Sequence, residues 1–100
     1  MSRHTPGPWR YQGPDDFMDF NILHNGDSLA VAAVVSNMRN LEEIAANARL
    51  VAAAPDLLAA LQLTSKALTA ALTGGEVSAA QAGNALVKAA EALAKAGAES

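Results

Sequence analysis

The sequence predicts one α+β domain: a small antiparallel sheet, built from a β-hairpin and one short N-terminal strand, packed on helices, with a C-terminal antiparallel helical hairpin. Three observations predict it. All four aromatic residues fall before residue 37, among short segments bounded by proline, glycine and aspartate. An Asn25-Gly26 pair separates two of those segments, as a tight hairpin turn requires. After Asn40 the apolar residues recur at helical spacing. One hundred residues suit a single folding unit, with a β-rich part over 1–36 and a helical part over 40–95.

The first strand is read over Trp9-Arg10-Tyr11-Gln12, entered through Pro6-Gly7-Pro8 and left through Gly13-Pro14, with Trp9 and Tyr11 on one face. The hairpin is read as Phe17 to His24 and Asp27 to Ser36. With Asn25-Gly26 as a two-residue type I′ loop, Ile22 should oppose Leu29, Phe20 should oppose Val31 and Met18 should oppose Ala33. That face is apolar throughout, so helices are expected to cover it. The other face, with Asn21 and Asp19 opposite alanines, is expected to meet solvent or a partner subunit.

Asn40, three residues before Glu43, makes a capping box that opens a first helix near Leu41. Its stripe is Leu41, Ile44, Ala45, Ala48, Val51 and Ala52, with Leu50 opposite. Pro55 has no N–H and disfavours helical geometry at Ala54, so the helix should break there. A second helix then runs from Asp56 to Leu72, with Leu57, Ala60, Leu61, Thr64, Leu68, Ala71 and Leu72 expected inward. Gly74-Gly75 ends it. Ser78 and Gln81 repeat the capping spacing for a third helix to about Lys95, with Ala79, Ala82, Gly83, Leu86, Ala90 and Leu93 expected inward and fraying from Ala96.

Composition narrows the function. The chain is 51% hydrophobic, but 24 of those residues are alanine, which leaves little bulky side chain for one core. A homo-oligomer joined through the C-terminal helical hairpin is therefore expected. Seven scattered basic residues and a net charge of −3 offer no basic stripe, so no direct nucleic-acid binding is expected. Without cysteine there are no disulfides or thiolate metal sites. Apolar runs broken by Asp56, Lys66 and Glu76 are too short to span a bilayer, and no signal-peptide segment opens the chain, so a soluble cytoplasmic protein is expected.

Residues capable of chemistry are few. His24, opposite Asp27 in the expected register, reads as a turn support, and His4 stands in the leader. Asp15, Asp16 and Asp19 lack the spacing and glycine of a calcium loop and read as turn acids. No phosphate-binding loop or nucleophile elbow is present. We expect no catalytic residue, no metal and no cofactor. The candidate ligand or partner contacts are Trp9, Arg10, Tyr11, Asn47 and Arg49: rings that can stack, and guanidinium groups that can fork onto phosphate or carboxylate. The plainer readings are a core anchor for Trp9 and a snorkelling stem for Arg49.

The segment His4-Thr5-Pro6-Gly7-Pro8-Trp9, followed by a hairpin and then by Ala46 through Leu61 (ANARLVAAAPDLLAAL), resembles a group of small proteins encoded by bacteriophages and prophages. The resemblance covers roughly residues 4 to 61. It implies a phage origin and expression in the host bacterial cytoplasm, and it implies no reaction. Three roles follow as expectations: a non-catalytic counter-defence or host-takeover inhibitor that binds a host defence protein, an oligomeric sponge for a small nucleotide signal, or a virion or assembly accessory.

Overall fold

The structure is a computed structural model that describes residues 4–97. Among the described residues, an open three-stranded antiparallel sheet precedes three helices, and the fold is the expected α+β arrangement. Strands β1 (Trp9–Gln12), β2 (Phe20–His24) and β3 (Ala30–Val34) lie in the order β1-β2-β3, so β2 is central. Helix α1 (Leu41–Ala52) covers one face of the sheet. Helices α2 (Ala54–Leu72) and α3 (Ala79–Lys95) form the antiparallel hairpin.

The core lies between the sheet and α1. Phe20 and Ile22 of β2 meet Ile44, Ala48 and Ala52 of α1, with Trp9, Val31, Val34, Ala45 and Val51 around them. Ile22 and Ile44 are fully buried, each worth about 1.5–3 kcal/mol relative to exposure. The expected α1 stripe is the buried one, except that Leu41 at its first turn is exposed, as is Leu50 on the far side.

The hairpin register differs from the expected one. Phe20 pairs with Val34, Ile22 with Ala32 and Leu23 with Ala30, with an irregularity between Ile22 and Leu23. The two-residue turn gives way to a longer loop closed by Ser28 N–H to the His24 carbonyl (2.8 Å) and His24 N–H to the Leu29 carbonyl (2.9 Å). The left-handed position is Ser28 (φ 61°), not Asn25 or Gly26. The cause is Asp27, whose carboxylate accepts the Leu29 N–H at 2.9 Å and holds a side-chain turn that competes with the type I′ geometry. Strand β2 also starts later than expected, because residues 15–19 form a turn in which the Asp15 carboxylate accepts the N–H groups of Phe17 and Asp19.

Helix ends follow the cap signals. Asn40 Oδ1 accepts the Glu43 N–H at 2.8 Å and Ser78 Oγ accepts the Gln81 N–H at 3.0 Å. The reciprocal half of the first box is not made, since Glu43 pairs with Arg39 at 2.7 Å. Pro55 stands in the first turn of α2, and α1 and α2 meet at a 49° bend. Gly74 takes φ 82° after α2, and Gly75 N–H reaches back to the Ala70 carbonyl at 2.7 Å, a Schellman closure. No single helix is long and apolar enough to cross a membrane among the described residues.

The α2–α3 hairpin keeps some of the residues expected inward, Ala60 and Ala82 among them, and turns others out. Ala60 is buried, with Leu63, Ala67 and Ala70 half-buried along the same row of α2. Across from them lie buried Ala85 and Ala92, with half-buried Ala82 and Ala89. Leu61, Leu68, Leu72, Leu86 and Leu93, read as inward, are exposed. Gly83 is not a close-approach point either, since a side-chain carbon there would meet nothing within 4 Å. Small side chains allow the two helices to close on an alanine seam, which leaves the bulky rows outside it. The hairpin projects from the sheet, and the molecule measures 54 × 28 × 18 Å. Its radius of gyration, 16.2 Å, exceeds the ~13 Å of a compact chain of this length.

Candidate binding surface

The five residues singled out from sequence do not form one site. Trp9 and Tyr11 share a sheet face with Ile22 and His24, their cross-strand partners, so both rings point to the side that α1 covers. Trp9 is a half-buried anchor on the core, and its indole N–H is shared between the carbonyls of Thr5 and Pro6 at 3.2 Å each. Tyr11 leans on Phe20 with ring centroids 6.0 Å apart. Arg10 lies on the reverse face, where its guanidinium donates to Ser28 Oγ at 2.9 Å. Asn47 is exposed on α1, and the Arg49 side chain lies against Gly97 beyond α3, where an added side-chain carbon would stand 3.1 Å from Nε.

The two signature segments do meet. The leader folds onto the start of α2, so closely that a side-chain carbon on Gly7 would lie 2.9 Å from Pro55 Cβ. His4 stands edge-on to Trp9, at 6.4 Å and 89°. Between leader and helix runs an open cleft of about 940 Å³, lined by His4, Pro6, Pro8, Asp56, Leu58 and Gln62 among others. Asp56, its one acid, is already paired with Lys95 at 2.7 Å. The cleft supplies shape and apolar contact, and among the described residues no lysine or arginine lines it.

A second surface was not foreseen from sequence. At the end of the sheet opposite the Asn25-Gly26 loop, two turns expose large apolar side chains: Phe17 (80% exposed) and Met18 on one, Val35 and Met38 (102%) on the other. Polar groups lock these turns together. Asp19 accepts the Ser36 N–H at 2.8 Å, Ser36 Oγ donates to the Phe17 carbonyl at 3.3 Å, and Arg39 N–H closes the second turn on the Ser36 carbonyl at 2.9 Å. Met18 (φ 64°) and Met38 (φ 68°) both hold left-handed backbone, which is unfavourable for a long side chain. The acids Asp15 and Asp19 are therefore turn fasteners, as expected. Large apolar residues embedded in turn-type sequence, Asp16-Phe17-Met18-Asp19 and Asn37-Met38-Arg39-Asn40, were the available signal.

His24 Nδ1 is buried and lies 3.1 Å from Asp27 Oδ1, a close contact without the alignment of a hydrogen bond. The Leu29 N–H, followed by His24, holds the Asp27 carboxyl below its ordinary value of 3.8. The His24 ring also lies over Gly26, where a side-chain carbon would come within 2.9 Å of Cε1. These contacts support the turn. No group of three or more metal-ligating side chains comes together among the described residues.

The sequence of the whole chain, residues 1–100, matches the family described as Salmonella phage P22 protein Y8K6. The chain belongs to this family. The P22 Y8K6 membership makes it a small phage protein and extends beyond the segments that carried the resemblance, reaching the α2–α3 hairpin. No curated protein and no solved structure matches it.

Proposed function

We propose that this P22 Y8K6 family member is a non-catalytic accessory protein that acts in the host bacterial cytoplasm by binding, as a counter-defence or host-takeover inhibitor of a host defence protein. One observation carries the reading: the preorganised apolar tip of Phe17, Met18, Val35 and Met38. Exposed aromatic and methionine side chains are the residue types that anchor interfaces, and locked turns lower the entropy cost of docking them. Strained left-handed positions concentrate where a side chain is held out for use.

The sponge alternative has less support, because Arg10 lies on the sheet face opposite Trp9 and Tyr11 and the leader cleft is lined by an acid. A virion or assembly role is separated by mass spectrometry of purified particles. The test of the favoured reading is phage plating on hosts that carry different defence systems, with the gene intact, deleted or replaced by the Phe17→Glu and Met38→Glu variants. Deletion should reduce plating on at least one such host. The wild type should restore it, and both variants, folded by circular dichroism, should not. Unimpaired plating of the deletion on every host, or full rescue by both variants, would refute the proposal.

A further inference from the structure

We infer that a second copy of this chain covers the leucine face of the α2–α3 hairpin, completing a four-helix bundle across a two-fold axis. The inference stands on the hairpin and is independent of the apolar tip. At 100° per residue, Leu61, Leu68 and Leu72 lie roughly 140° past the alanine row of α2, and Leu86 and Leu93 roughly 70° past that of α3. The helices are antiparallel, so offsets in the same sense fall on the same face of the pair. Offsets in the opposite sense carry Gln62 and Lys66 on α2 and Asn84, Lys88 and Glu91 on α3. One face of the hairpin is thus a leucine surface and the other is polar.

Three features select a second copy as the occupant. The leucine surface holds no charged residue, since Lys66, Lys88, Glu91 and Lys95 all belong to the other side, so its partner must be apolar in the same way. An isologous pairing supplies that match from the same surface. The spacing also fits: Leu61 and Leu68 are seven residues apart, as are Ala79, Leu86 and Leu93, and a seven-residue repeat is what keeps a seam on a partner helix. Each helix therefore carries an alanine seam for its neighbour in the chain and a leucine seam for a further neighbour, adjacent on α3 and farther round on α2.

The area is sufficient. Leu61, Leu68, Leu72, Leu86 and Leu93 are 65, 57, 78, 71 and 45% exposed. Together they present the equivalent of about three whole leucines, on the order of 550 Å² per chain and about 1,100 Å² for two, above the ~1,000 Å² of a specific interface. A patch of this size stands at the upper end of the roughly 300–600 Å² that a lone soluble chain leaves to water.

Light scattering of the full chain at several concentrations tests this, with Leu68→Glu and Leu86→Glu as interface variants and Lys66→Glu as a control on the polar face. One chain is 10.2 kDa. The wild type and Lys66→Glu should weigh twice that, and each leucine variant should fall to a single-chain mass with helix content retained. A wild type that remains at 10.2 kDa up to about 1 mM, the weak end of specific affinity, overturns the inference whatever the variants do. So does a trimer, or a dimer whose mass survives both leucine substitutions.

Discussion

Substituting Ala85 with leucine separates the observed packing from the one periodicity suggests. Ala85 is buried in the seam between α2 and α3, opposite the row of Ala60, Leu63, Ala67 and Ala70, so replacing its methyl with an isobutyl group crowds the contact. Overpacking of this kind costs about 1–3 kcal/mol. A domain of this size has a total stability of roughly 5–15 kcal/mol, and its melting temperature moves by about 4–8 °C per kcal/mol, so a fall of about 5–20 °C is expected. Asn84, one residue earlier, is exposed on the polar face, and Asn84→Leu should change stability by no more than about 0.5 kcal/mol. Thermal unfolding followed by circular dichroism at a single protein concentration gives both numbers, and fixing the concentration removes any shift from self-association. Equal losses in the two variants, or a more stable Ala85→Leu, would refute the alanine seam.

Removing the α1 cap with Asn40→Ala should cost about 1 kcal/mol, seen as a lower urea midpoint with an unchanged slope, and a change under 0.3 kcal/mol would contradict the cap. Asp27 titrates below 3.8 in the folded chain, so its contribution to stability is complete above the ordinary carboxylate range and disappears as pH falls through the lowered value. A carboxyl-carbon NMR titration should give a midpoint under 3.8. His24→Ala should raise that midpoint without abolishing the shift, because the Leu29 N–H is the larger cause. The Lys95–Asp56 pair ties the end of α3 to the start of α2 with both side chains partly exposed. Asp56→Asn should therefore cost about 0–1 kcal/mol and speed hydrogen exchange in the last turn of α3, while uniform exchange changes would contradict a local tie.

The elements were legible because their signals are local. Asn40 and Ser78 each carry a side-chain acceptor three residues before the N–H it satisfies, and Pro55 and Gly74 set backbone geometry without help from the rest of the fold. The α1 stripe was readable for a different reason: Glu42, Glu43 and Arg39 mark the wet side, so only one stripe could be buried. In α2 and α3 that contrast fails. With alanine on nearly every side, two adjacent rows are both apolar, and periodicity alone cannot say which one a neighbouring helix takes. The expected stripes mix both rows, Ala60 and Ala82 from the contact with Leu61, Leu68, Leu86 and Leu93 from outside it. The Asn25-Gly26 preference for a short turn does not set the hairpin register, because the Asp27 carboxylate bonds the Leu29 N–H and lengthens the loop. The candidate surface was the least legible part. Strand alternation divides Trp9 and Tyr11 from Arg10 between two faces, which residue type alone does not reveal. Phe17 and Met38 looked like strand and linker residues until the turns around Asp15, Asp19 and Ser36 closed.

The orientation of the hairpin rows underlies both the extended shape and the proposed pairing, and methyl NMR reads it directly. The Asp56–Lys95 contact sets the level of the two helices: Ala60 and Ala92 line one groove, and continuing the antiparallel register two turns along brings Ala67 level with Ala85. In a sample with alanine and leucine methyls labelled, those alanine pairs should show contacts within one chain, and the leucine contacts Leu61 or Leu68 to Leu86 or Leu93 should be seen only between differently labelled chains. Leucine contacts within a chain, with the alanine pairs silent, would contradict the account.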